Sequence, residues 1–99
     1  DIDLARPKEN AGKLGCTDDE RTRLAKYIDA FTDTFRFMRG EKVKYSWWDM
    51  KTRSRERNIG WRIDYIFTSK SLDKKIKRAD ILDEIYGSDH CPVVLEATL

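Results

Sequence analysis

The sequence predicts an α+β fold, mostly antiparallel sheet with one main helix. Three observations point there. A single strong amphipathic helix stands early in the chain, short alternating runs follow it, and no apolar stretch approaches the length of a membrane span. The 99 residues leave room for one domain with a modest core.

The helix opens at Thr17. Thr17 and Glu20 have the spacing of a capping box, and Asp18 and Asp19 suit the positive end of the helix dipole. Leu24, Tyr27, Ile28 and Phe31 then recur at helical spacing and form one apolar face, so the helix is predicted from Asp18 to Ala30. Residues 1–15 hold Pro7, Gly12 and Gly15 among polar neighbours and read as a loop.

Four strand candidates follow the helix. Phe31 to Phe37 is a short alternating run, and Val43, Tyr45 and Trp47 alternate with Lys44, Ser46 and Trp48. The strongest run sets Trp61, Ile63, Tyr65 and Phe67 against Arg62, Asp64, Ile66 and Thr68. Val93, Leu95, Ala97 and Leu99 close the chain, while Ile76 to Ile85 fits either a strand or a short helix.

Composition narrows the class. Hydrophobic residues make up 39%, charged residues 38% and aromatics 11%; that aromatic share argues against a disordered chain. No basic stretch leads into an apolar one, so no signal peptide is visible, and no membrane partner is expected. Cys16 and Cys91 do not make a disulfide framework; reduced thiols and a cytoplasmic location are the simpler reading.

The net charge of +2 hides a local excess. Lys51, Arg53, Arg55 and Arg57 against Glu56 give +3, between Trp47 and Trp48 on one side and Trp61 on the other. Cationic side chains neutralise phosphates and indole faces stack on bases, so this stretch suits a nucleic-acid surface. From composition alone, a solvated loop beside core tryptophans is the simpler reading. The turn Gly87-Ser88-Asp89-His90-Cys91-Pro92 holds the sole histidine at the mouth of the last strand. Such a histidine beside a carboxylate is either a general base or a plain surface residue. Asp64 interrupts the strongest strand; it either orients His90 from a neighbouring strand or pairs with a loop arginine. There is no Gly-rich phosphate loop, no CxxC pair and no G-x-S-x-G element.

Three stretches together resemble a known family. Tyr45-Ser-Trp47-Trp48-Asp49, Arg55-Glu-Arg57-Asn58-Ile59-Gly60-Trp61-Arg62-Ile63-Asp64-Tyr65, and Gly87-Ser88-Asp89-His90-Cys91-Pro92-Val93 are similar to the C-terminal half of exonuclease III-type AP endonucleases. The opening Asp1 to Asn10 resembles the segment after that family's G-D-F-N motif. The resemblance implies half of a four-layer α/β/β/α sandwich. It implies a Mg²⁺- or Mn²⁺-dependent phosphodiesterase that acts on double-stranded DNA at abasic sites or 3′ ends. By position it assigns catalysis to His90, Asp64 and Asp89, with Asp89 and His90 near the metal. It assigns Trp47, Trp61 and Ile63 to a pocket for the base-less sugar, and Arg53, Arg55, Arg57, Asn58 and Asn10 to DNA.

The family's N-terminal half, with most of its metal ligands, has no counterpart in these 99 residues, which open on Asp1. The chain alone is therefore expected to be inactive. Its sheet is expected to be covered by that missing half or by self-association.

Overall fold

The computed structural model describes residues 2–7 and 17–98. Asn10 and Cys16 lie outside the described residues. The elements run α1 (Asp18–Ala30), β1 (Thr32–Asp33), α2 (Thr34–Arg39), β2 (Trp47–Trp48), a 3₁₀ turn (Ser54–Arg57), β3 (Gly60–Trp61), β4 (Phe67–Thr68), a second 3₁₀ turn (Lys70–Lys75), β5 (Ile76–Ile81) and β6 (Val93–Ala97). Helix and antiparallel sheet are both present, as expected. The described strands form three antiparallel pairs, β1–β4, β2–β3 and β5–β6. No helix among the described residues is long and apolar enough to cross a membrane.

Helix α1 has the predicted bounds. The Thr17 hydroxyl accepts the Glu20 N–H at 3.2 Å, and the Glu20 carboxylate accepts the Thr17 N–H at 3.3 Å, which completes the capping box. Its apolar stripe is not buried: Tyr27, Ile28 and Phe31 stay 55%, 43% and 42% exposed. Tyr27 stacks on Phe31 at 6.3 Å and on Phe67 at 6.0 Å, and Phe67 stacks on Tyr65 at 5.5 Å. The helix thus meets the sheet along an aromatic row rather than covering it.

The run from Phe31 to Phe37 departs from its predicted strand. After two paired residues the Asp33 carboxylate accepts the Arg36 N–H, and that N-cap turns the chain into α2. Gly40 ends the helix at φ 59°, a left-handed conformation that glycine tolerates. Helical spacing then separates the phenylalanines, so Phe35 is buried and Phe37 is half-exposed. The Trp61–Phe67 run pairs only near its ends. Between them the Ile63 and Asp64 N–H groups both donate to Ser46 Oγ, each at 3.1 Å, in place of a backbone ladder. The polar stretch at 1–15 reads as loop, yet the segment at 3–5 lies along β3. Ala5 N–H donates to Gly60 O at 2.9 Å and Arg62 N–H to Asp3 O at 2.7 Å. Three residues are too few to show a period.

The ambiguous stretch after Ile76 is a strand. β5 and β6 pair from Ile76–Ala97 to Ile81–Val93, with a bulge between Ile76 and Arg78. Ala79 and Ile81 point inward, and Ile81 joins Phe35, Tyr45, Trp48 and Cys91 in the core. At the edge of that core, Asp80 is bonded by Lys44 at 3.1 Å and Arg39 at 3.0 Å. Burial alone would raise its pKa, but the Ile81 N–H, Lys44 and Arg39 outweigh it and hold the carboxyl at about 2, against an ordinary 3.8. A depressed folded-state pKa adds stability above the unfolded value, and that stability is lost as pH falls through the folded one. Acid unfolding followed by circular dichroism is therefore expected to show a stability loss between pH 3.8 and about 2, flattened in Asp80→Asn. An identical acid profile in Asp80→Asn would contradict this.

Candidate active site and nucleic-acid interface

The site forms where four chain segments lie side by side. The segment at 3–5 pairs with β3, β3 pairs with β2, and β2 meets the turn at His90. Trp47 is the centre of this patch: it pairs with Trp61 on one side and bridges His90 on the other. Residues directly opposite in antiparallel pairs project to the same face. Trp61, Trp47 and His90 therefore form one row, with the two indoles edge-to-face at 5.6 Å.

His90 Nδ1 lies 2.8 Å from Asp64 Oδ2, both side chains part-exposed. Ser46 makes this contact possible. It is completely buried, and its Oγ accepts the Asp64 N–H while its carbonyl accepts the Cys91 N–H at 2.9 Å. One serine thus fixes the residues on either side of the pair. The 87–90 turn supplies the rest: Ser88 Oγ accepts the His90 N–H at 3.2 Å. With Nδ1–H donated to the carboxylate, Nε2 keeps its lone pair and can take a proton. Once protonated, the ring donates from Nε2 to an anionic oxygen while Asp64 balances its charge.

Asp89 is turned toward Trp47. Its Oδ2 accepts the Trp47 indole N–H at 3.2 Å and its Oδ1 accepts the Ser88 hydroxyl at 3.2 Å. The Trp47 bond is the main reason its carboxyl sits below the usual range, with Ser88 and His90 adding to it. The family resemblance puts Asp89 and His90 near a metal. Among the described residues, no group of three or more His, Cys, Asp or Glu side chains could hold one. These residues alone do not make a Mg²⁺ or Mn²⁺ site. The chemistry they offer is proton transfer and hydrogen bonding.

Trp61 and Ile63, expected at a sugar pocket, line a cleft of about 210 Å³ together with apolar Leu4, Leu24 and Ile28, Tyr65, and the charged Asp3, Glu20, Arg21 and Arg62. Trp47 touches Trp61 but is not part of that cleft's wall. The Tyr65 phenol is pushed up to about 12, mainly by burial and then by Asp3, so it stays protonated; it donates to Arg62 O at 2.8 Å.

The arginine loop divides into two kinds of side chain. Arg53 and Arg57 are exposed, and Arg57 reaches back only to the Thr52 carbonyl at 3.1 Å. Arg55, expected at a DNA surface, turns inward instead. It donates to Asp83 O at 2.9 Å and Ile85 O at 2.7 Å, and its guanidinium lies between the rings of Trp48 and Tyr86. Asn58, also expected to meet DNA, gives its Oδ1 to the Trp48 indole N–H at 3.1 Å. It adopts φ 50°, a left-handed conformation that asparagine tolerates better than most residues. Trp48, which is 2% exposed, needs a partner for its N–H and its ring face, and Asn58, itself exposed, and Arg55 supply them.

Gly60 closes the other side of that indole. A Cβ there would lie 2.6 Å from Trp48 Nε1 and 2.7 Å from the Trp47 carbonyl. Gly60→Ala is expected to destabilise by about 1–3 kcal/mol through overpacking, read as a lower urea midpoint; an unchanged midpoint would contradict the packing.

Sequence reasoning misses Ser46 and the inward turn of Arg55. Ser46 leaves one signal, a small polar residue between aromatics in an alternating run. Arg55 leaves none, since nothing in its spacing separates it from Arg53 and Arg57.

The chain is similar to known nucleases over nearly all of its length. The chain is 44% identical over 97 residues to an exodeoxyribonuclease of Bacillus subtilis, covering 96% of this chain and 38% of that protein. It is 36% identical over 97 residues to the DNA repair nuclease APEX1 of Danio rerio, covering 96% of this chain and 31% of that one. Among solved structures, the Neisseria 3′ phosphatase NExo bound to a product DNA hairpin superposes with a TM-score of 0.90 at 29% identity, covering 100% of this chain and 40% of the other. An AP endonuclease from Archaeoglobus fulgidus gives 0.82 at 27% identity, covering 99% and 40%. No family model matches the chain. The chain spans well under half the length of each of these proteins. In sequence and in fold the chain matches part of the exonuclease III-type AP endonucleases.

Proposed function

We propose that the chain is the part of a DNA phosphodiester hydrolase that supplies its histidine–aspartate pair, its sugar cleft and one DNA-binding loop. The observation that carries this reading is the Asp64–His90 bond at 2.8 Å in register with Trp47 and Trp61. His90 moves the proton or binds the scissile phosphate, and Asp64 holds its ring. The cleft by Trp61 and Ile63 suits a small, partly apolar sugar without its base, and such a nucleotide leaves the stack at little cost. The substrate is double-stranded DNA with abasic sites or 3′ ends. The cofactor is Mg²⁺ or Mn²⁺, whose carboxylate set comes largely from the rest of a family-type domain, with Asp89 beside it. That domain also covers the row Phe31–Tyr27–Phe67–Tyr65. The buried, free thiol of Cys91 supports a cytoplasmic location.

Two experiments test the reading. Duplex binding by the chain is expected to weaken as salt rises. Arg53→Ala with Arg57→Ala is expected to flatten that slope by about 1.8 log units per log unit of salt; an unchanged slope would remove the loop from the interface. For catalysis, the chain is placed in the Bacillus subtilis exodeoxyribonuclease in exchange for the 97 residues it matches. The chimera is expected to incise a duplex with one abasic site in Mg²⁺. A folded chimera that binds this duplex without cutting it would favour a non-catalytic DNA-binding module.

A further inference from the structure

We infer that Arg55 is a positioning residue for the Asp64–His90 pair, acting through the turn at 83–88. Its Nη2 donates to the carbonyls of Asp83 and Ile85, and its Nη1 reaches the Ser88 carbonyl at 3.4 Å. The guanidinium is clamped between two rings, 4.3 Å from the Trp48 centroid and 3.9 Å from that of Tyr86. Trp48 is fully buried and fixed in the sheet, while Tyr86 is 73% exposed and closes the stack from outside.

Besides Arg55, the turn is tied among the described residues by the Ile85 N–H to Leu82 O bond at 3.1 Å and the Lys44–Asp83 ion pair at 3.7 Å, and Gly87 at φ 135° adopts a conformation that other residues rarely take. The same turn ends in Ser88, whose hydroxyl takes the His90 N–H and donates to Asp89. Three carbonyls converging on one planar cation therefore set Ser88, and Ser88, together with the sheet bonds from Trp48 N–H to Asp89 O and from Cys91 N–H to Ser46 O, sets the backbone from which His90 reaches Asp64. A guanidinium does this and an ammonium does not. Only the planar fork stacks between two rings while donating in its own plane. The arginine loop and the histidine turn are joined as one unit, with Arg53 outside and Arg55 inside.

This inference rests on His90 being the functional base, but its test reads the imidazole itself and needs no DNA cleavage. The chain has one histidine, so its ring nitrogens give unambiguous long-range ¹H–¹⁵N signals. On the alkaline plateau, where the ring signals no longer change with pH, the wild type is expected to show the Nδ1–H tautomer almost alone. In Arg55→Ala the signals are expected to move toward an average of both tautomers, and Arg55→Lys is expected not to restore them. Tyr86→Ala should shift them part of the way, and Arg53→Ala should leave them in place. A folded Arg55→Ala chain with wild-type imidazole signals would overturn the inference. Should Arg55→Ala fail to fold, unchanged signals in both Arg55→Lys and Tyr86→Ala would do the same. An equal shift in Arg53→Ala would also overturn it, because the effect would then belong to loop charge.

Discussion

Arg62→Ala is expected to lower the unfolding free energy by about 3–5 kcal/mol, as breaking a buried ion pair does. Small domains hold only about 5–15 kcal/mol in total, so the variant should be partly unfolded near body temperature. Arg62 is 1% exposed and bonded to two carboxylates, Asp33 and, at 3.0 Å, Asp3. Phe35 and Tyr65 lie against its guanidinium at 5.0 and 4.6 Å. Burial pulls its pKa down, but Asp33 and Asp3 more than reverse this, so the cation is retained inside. Truncation leaves the buried Asp33, which caps α2, without its cation, while Asp3 keeps only Arg36 at 2.5 Å. A urea titration measures the loss; a change below about 1 kcal/mol, the range of an exposed pair, would show that the network is a surface feature.

The second large effect is chemical. In the chimera, His90→Ala is expected to reduce incision at an abasic site by about 10²–10⁴-fold, the usual contribution of a positioned acid or base. Binding of the uncut duplex should change far less, because the proposed function assigns the phosphate contacts to Arg53 and Arg57. Single-turnover rates separate the two. A loss confined to binding would make His90 a substrate contact and not a proton-transfer group.

Much of the site is legible in the residues themselves. The helix from Asp18 to Ala30 can be read because a capping box and an apolar stripe agree locally. An acid inside a strand leaves Asp64 two partners, His90 or a loop arginine, and the family resemblance implies the first, which is the pair the structure shows. The strand lengths are not legible. The run from Trp61 to Phe67 alternates throughout, yet a side-chain oxygen of Ser46 replaces the ladder in its middle, and hydropathy carries no record of that competition. The turn into α2 is hidden because Asp33 caps a helix inside an aromatic alternation. The inward Arg55 is hidden because its partners are backbone carbonyls, 28 and 30 residues away, which have no sequence identity to read. The exposed face of α1 shows the reverse: its pattern is that of a packed helix, and the described residues cover only its edge.

The central claim is that Asp64 and His90 act at the phosphate as one unit. A double-mutant cycle in the chimera tests it most directly, with single-turnover incision rates for Asp64→Ala, His90→Ala and the double variant. If the carboxylate works only through the imidazole, the double variant should be no slower than His90→Ala alone. If the two losses multiply, Asp64 and His90 act independently, and the hydrogen bond between them is not the functional element.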